Sequence, residues 1–190
     1  MTLTVLEPPV SPAVFAAEAR SFLRLGGTVE DSLIECLIEA AQARLETALS
    51  MVMLRQKLRN HFGYRDRVRL ASGINVSPRP VTAIHTIRLM NDAGGSDDIT
   101  DLFQLGDHGV ICLKMGRVDR HFPDKGRLEC DFSAGFGPDP SDVPADLKLA
   151  INRLVADAYF DRNETSSSAV SAGFPTDVAH IVSTYRALRL

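Results

Sequence analysis

The sequence predicts an α+β protein: a helical bundle of about four helices with a small antiparallel β insert between the second and third long helices. Three observations carry this. Leu33, Leu37, Ala41, Leu45 and Leu49 recur at four-residue spacing, the stripe of a helix packed on a partner. After Met53 the period drops to two: Arg55, Lys57, Arg59, Arg65, Arg67 and Arg69 take odd positions, while Leu54, Leu58, Phe62, Tyr64, Val68 and Leu70 take even ones. Helical spacing then returns at Leu147, Ile151, Leu154 and Ala158.

Taken in order, Ser11-Pro12 reads as a helix start, with Phe15, Ala19, Phe22 and Leu23 on one side and Gly26-Gly27 as the stop. Thr28 with Asp31 is a variant capping box opening the second helix, whose stripe is widened by Ile34, Ile38 and Ala48. The alternating stretch from Leu54 is a two-faced strand or hairpin turning near Gly63. Strand-like segments follow at 83–90, 110–114 and 127–132, separated by turn residues, and form a small antiparallel sheet or sandwich. Gly135, Gly137, Pro138 and Pro140 end it, and Asp142-Val143-Pro144 restarts a helix to which Ala150, Val155 and Tyr159 also contribute. Four serines and Gly173 mark a flexible connection, and Thr176 opens a last helix with Val178, Ile181, Val182, Tyr185 and Leu188 on one face. The expected organisation is thus a helical part at 1–53, a β insert at 54–133, a helix completing the bundle at 134–162, a tether at 163–175 and a docking helix at 176–190.

The chain has 190 residues, 45% hydrophobic and 24% charged, the usage of a globular domain. It has no bilayer-length apolar run and no secretory leader, so no membrane partner is expected and assembly in the cytoplasm is. Cys36, Cys112 and Cys130 are odd in number and widely spaced, which predicts buried thiols rather than disulfides or a metal site. The net charge of −3 conceals an asymmetry: residues 55–69 carry +5 and the remainder −8. That basic strand faces phosphates or an acidic partner, or else is the solvated side of an edge that its charges protect.

Motifs of catalysis are missing. Gly94-Gly95 and Lys125-Gly126 lack the context of a phosphate-binding loop, and the five histidines have no metal-ligand spacing. Asp97, Asp98 and Asp101 lack the alternation and closing glutamate of a calcium loop, and no serine sits in a nucleophile elbow. The expectation is a non-enzyme without cofactor or metal.

Four stretches resemble the head-to-tail connector, or adaptor, proteins of long-tailed bacteriophages and phage-like gene transfer agents. They are Ala19-Arg20-Ser21-Phe22-Leu23-Arg24-Leu25 with Glu30-Asp31 and the helix through Glu46; Ser77-Pro78-Arg79-Pro80-Val81 with the strand Ala83-Ile84-His85-Thr86-Ile87; Phe132-Ser133-Ala134-Gly135-Phe136-Gly137 with Val143-Pro144-Ala145-Asp146-Leu147-Lys148, Tyr159, Arg162 and Glu164; and Tyr185-Arg186. The resemblance implies a helical unit with a β insert and a virion structural role. It implies a ring, usually of twelve copies, that is fixed to the portal protein, continues the DNA channel without reading sequence, and presents a surface to the next tail or stopper component. It also implies that the last helix docks on the portal through Ile181, Val182, Tyr185, Arg186 and Leu188, although the same residues are equally suited to an internal core. The alternative class is a DNA-binding accessory module acting through Arg55, Lys57, Arg59, Arg65, Arg67 and Arg69; a small hydrolase is a distant third.

Overall fold

The computed structural model describes residues 2–63, 74–91, 95–106, 110–114, 127–161 and 173–186. Its strands are β1 (Thr2–Glu7), β2 (Gln56–Phe62), β3 (Ile74–Asn75), β4 (Val81–Met90), β5 (Ser96–Asp98), β6 (Phe103–Leu105), β7 (Val110–Leu113) and β8 (Arg127–Ala134). Its helices are α1 (Ala16–Leu23), α2 (Asp31–Leu49), α3 (Ala145–Asp161) and α4 (Thr176–Tyr185). The chain divides into a sheet-bearing unit, 1–9 with 55–136, and a helical unit, 10–54 with 137–190.

This corrects the expected fold class. The β part is not a small insert in a helical bundle but a unit with its own core, built on a five-stranded antiparallel sheet of order β1-β2-β8-β4-β5 and a three-stranded sheet of order β3-β7-β6. The N-terminal segment is drawn into it, because Thr-Leu-Thr-Val-Leu-Glu forms the edge strand β1 against β2.

Within the larger sheet the period-two alternation separates two faces. Leu58, Phe62, Leu128, Cys130, Phe132 and Ile87 are buried on the inner face. Lys57, Arg59 and His61 lie on the opposite face, in register with Ser133, Asp131 and Glu129 of β8. Ile99, Leu102, Phe103 and Ile111, around the smaller sheet, are also buried.

In the helical unit, Ile34, Ile38, Ala41, Leu45 and Leu49 of α2 are buried, as are Leu147, Ala150, Ile151, Leu154, Val155 and Tyr159 of α3. The stripe foreseen on α3 is present except for Ala158, which is exposed. Helix α1 starts later than Ser11-Pro12 implied. Ala13 and Val14 are fully buried, and Glu18 accepts the Phe15 amide at 3.0 Å at the true start. Its stop is Arg24 in the left-handed region (φ 58°), ahead of the glycine pair. The Thr28–Asp31 box does not form either; both Asp31 carboxylate oxygens instead accept from Nη1 of Arg20, at 2.8 and 2.7 Å, tying α1 to α2.

Glu46 finishes α2 from within. Its Oε1 accepts the Met53 amide at 2.9 Å and Gln42 Nε2 at 3.0 Å, while Gln42 Oε1 accepts the Ala13 amide at 3.3 Å. Near the entry to α3, Gly137 bridges Leu54 and lies so close to Asp142 that an added Cβ would collide with that side chain as far back as its own Cβ. Asp142 meanwhile accepts the Asp139 amide at 3.0 Å and is not free to swing away. Gly137→Ala is therefore expected to lower the unfolding free energy by about 2 kcal/mol through overpacking, measured by urea denaturation; an unchanged midpoint would show that the turn yields freely.

Candidate interaction surfaces

The basic strand is β2, and the sheet supplies its counter-charges. Arg59 grips Asp131 of β8 with two bonds, Nε to Oδ1 at 2.6 Å and Nη2 to Oδ2 at 2.8 Å, and its other nitrogen lies 3.6 Å from Glu129. His61 Nδ1 lies 3.3 Å from Glu129, Arg88 of β4 is 3.9 Å from Asp131, and Lys57 reaches Glu7 of β1 at 3.2 Å. Asp131 is only 6% exposed, and the guanidinium of Arg59 holds its carboxyl below the usual carboxylate range. Two of the cations assigned to phosphate or partner contact are thus engaged by carboxylates of their own sheet. Arg55 is exposed at the start of the strand, and Arg65, Arg67 and Arg69 lie outside the described residues.

The missed signal was legible further along. Glu129 and Asp131 take odd positions in a strand whose Leu128, Cys130 and Phe132 take even ones, the same alternation as β2 with the charge reversed. The Cys130 thiol, on the inner face, is pushed up to about 12 by burial and, secondarily, by the neighbouring Asp131 charge. That suits a packing residue and not a nucleophile. Of the other thiols expected to be buried, Cys36 is exposed on α2 and Cys112 is half-buried. His85 Nε2 and Ser133 Oγ approach to 2.7 Å, but at the exposed surface of the sheet. Among the described residues no cluster of three metal-ligating side chains occurs, and no helix is long and apolar enough to cross a membrane.

The second surface is α4. Its Val178 and Val182 are buried within the helical unit, Ile181 and Tyr185 are half-buried, Arg186 is exposed, and Leu188 lies outside the described residues. Polar links flank the apolar contact. Arg153 of α3 pairs with Asp177, and the Tyr185 hydroxyl donates to Asp146 Oδ1 at 2.8 Å. Just before the helix, the Arg44 guanidinium lies 4.8 Å from the Phe174 ring centre and donates to the Gly173 carbonyl at 2.9 Å. The helix is thus seated against α2 and α3 in the single chain, with one side left to solvent.

Two pH effects follow. Asp131→Asn is expected to cost about 2 kcal/mol at neutral pH, since it leaves Arg59 without its charged acceptor. Because Asp131 titrates lower in the folded state, its contribution is complete above the ordinary aspartate range and is lost as pH falls from there through the lower folded-state value, so the variant's acid-unfolding curve should be flatter. Burial and the bond to Asp146 push the Tyr185 hydroxyl up to about 12. The folded chain holds this proton more tightly than the unfolded chain, so α4 should loosen as pH rises from about 10 towards 12. The helical circular dichroism signal should fall over this range in the wild type and stay level in Tyr185→Phe; an equal fall in both would exclude Tyr185 as the titrating group.

No family model matches the chain, and no curated protein does. Solved structures do. A chain in the neck of an empty gene transfer agent particle, computed with sixfold symmetry, superposes with a TM-score of 0.82 at 26% identity. One in the virion of a native gene transfer agent particle gives 0.80 at 25%, and one in a native neck computed with twelvefold symmetry gives 0.79 at 24%. Each match covers 100% of this chain and 97% of the other. Both units, with the N-terminal strand and the C-terminal helix, therefore have their counterpart in a gene transfer agent particle, consistent with the head-to-tail connector family that the sequence resembles.

Proposed function

We propose that this chain is a structural neck protein of a virion-like particle, the adaptor that links the capsid portal to the tail. The observation that carries the reading is the full-length likeness to chains of gene transfer agent particles, one of them in a neck. In this reading the chain works as a ring, of twelve copies by the family resemblance and in keeping with a neck reconstruction of twelvefold symmetry. The ring continues the DNA channel and offers its far side to the next tail or stopper component. The acidic balance outside the basic stretch suits such a conduit, because strong attraction to phosphate would hold back passing DNA.

Helix α4 is the proposed portal contact. Val178 and Val182 seat it on its own unit, which leaves Ile181, Tyr185 and Arg186 as the part of the helix with surface to offer. Leu188 follows the described end of the chain. The DNA-binding alternative gains no support from Lys57 and Arg59, whose charges are satisfied within the sheet.

Particles made without this chain should be filled heads lacking tails when counted by negative-stain microscopy; tailed particles at normal number would overturn the adaptor reading. In the full chain, Ile181→Ser with Arg186→Glu should change the unfolding free energy by less than about 1 kcal/mol, since both side chains reach the surface. The same variant should reduce tailed particles at least tenfold; full tail attachment would remove α4 from the portal contact.

A further inference from the structure

The chain passes between its two units three times, at Pro9–Val10, Leu54–Arg55 and Phe136–Gly137. On the helical side all three passages are gathered at the C-terminal end of α2. Ser50, in the left-handed region at φ 51°, turns the chain back there, and the Met51 amide closes the turn on the Glu46 carbonyl at 3.0 Å. The Glu46 side chain then accepts the Met53 amide at 2.9 Å, just before the second passage. The same Oε1 accepts Gln42 Nε2 at 3.0 Å, which leaves Gln42 Oε1 for the Ala13 amide at 3.3 Å, just after the first passage. Leu54 bridges Gly137, where the third passage enters the unit.

These bonds form a relay. The two ends of the Gln42 amide make different bonds, and an acceptor at position 46 calls for its NH2 there and turns its oxygen to Ala13. Ala13, Met53, Leu54 and Gly137 are all buried, so an amide left without its acceptor at this point is costly. Burial pushes the Glu46 carboxyl above the usual glutamate range, and its bonds to the Met53 and Gln42 amides offset only part of this. An uncharged acceptor of the same shape therefore suits the position.

The sheet side is anchored as well. Gln56 and Val81 both pair with Ala134 of β8, and the Gly135 amide donates to the Pro80 carbonyl at 2.9 Å. Between the anchored ends lie only residues 8–12, Arg55 and Phe136. Units with cores of their own, joined by short connections, turn about those connections, and a few connecting residues absorb the change in backbone angles.

We propose that Gln42 and Glu46 are the clamp of a hinge, holding the first two passages directly and the third through the Leu54–Gly137 bridge, so that turning between the units is confined to residues 8–12, Arg55 and Phe136. Glu46 is the positioning residue, because it sets Gln42 and through it the first passage. Without it, bending spreads back into Ala13–Val14 and Met51–Leu54, and the joint loosens. The clamp is a property of the single chain and does not depend on the neck reading.

The test uses the full chain, with amide exchange followed residue by residue by nuclear magnetic resonance. Glu46→Leu should speed exchange about tenfold at Met53, which Glu46 touches, and equally at Ala13, which it does not, while Ile151 inside α3 keeps its rate. Glu46→Gln should hold both amides at the wild-type rate. A second measurement reads the joint itself. Spin labels on the exposed Cys36 of α2 and on Thr82→Cys of β4, with Cys112→Ser and Cys130 left buried, give the spread of distances between the units by pulsed electron paramagnetic resonance. That spread should widen at least about twofold in Glu46→Leu and return to the wild-type width in Glu46→Gln. Faster exchange at Met53 alone would overturn the relay, and an unchanged spread would overturn the hinge clamp. A Glu46→Gln variant as loose as Glu46→Leu would overturn the role given to the acceptor. Should Glu46→Leu fail to fold, Gln42→Ala answers the same question: it should free Ala13, leave Met53 protected and widen the spread, and an unchanged Ala13 would overturn the proposal.

Discussion

Strand β8 is the element on which the sheet-bearing unit depends. It lies between β2 and β4, so each of its inner residues, Leu128, Cys130 and Phe132, packs in a row begun by one neighbour and finished by the other. On the opposite face, Asp131 collects Arg59 from one side and Arg88 from the other. The apolar rows supply most of the drive to assemble. The paired charges fix which strand lies beside which, because a shift of one residue would turn Asp131 into the core. Without this central strand, β2 with β1 and β4 with β5 would be two separate ribbons, each too small to persist in water.

That dependence also explains what was legible in the sequence. Helices α2 and α3 were readable because their stripes are local, repeating within a turn or two of the same segment. The alternation along β2 was readable for the same reason. Its meaning was not, since Asp131 stands 72 residues from Arg59 and a local charge excess says nothing of a distant acid. Strand β1 is not legible for a related cause: only Thr2-Leu3-Thr4-Val5 alternates, too short a run to establish a period, and pairing with β2 makes Thr2–Glu7 a strand. Local alternation alone therefore predicts a smaller sheet than the one that forms. At α1 the local signal pointed to the wrong residue, because burial of Ala13 and Val14 outweighs the capping preference of Ser11.

For the candidate surfaces the same logic separates two cases. The basic strand is largely a matter of internal neutralisation as far as its described residues go. The last helix has a divided character. Its valines belong to the helical unit, the Tyr185–Asp146 and Arg153–Asp177 links hold it there, and Arg186 points away. A helix of ten residues is too short to hold its shape alone. Seated in this way, it presents a formed surface to a partner and does not have to fold on contact.

The proposed place of this chain, in a neck between head and tail, is open to direct observation. Electron cryomicroscopy of particles from the organism that encodes it, reconstructed about the neck axis, tests this most directly. The expected result is a ring directly below the portal whose repeating density accepts both units of this chain, with the segment around α4 nearest the portal. Density that fits the chain in the capsid shell or tail tube, or particles from which the chain is absent, would contradict it.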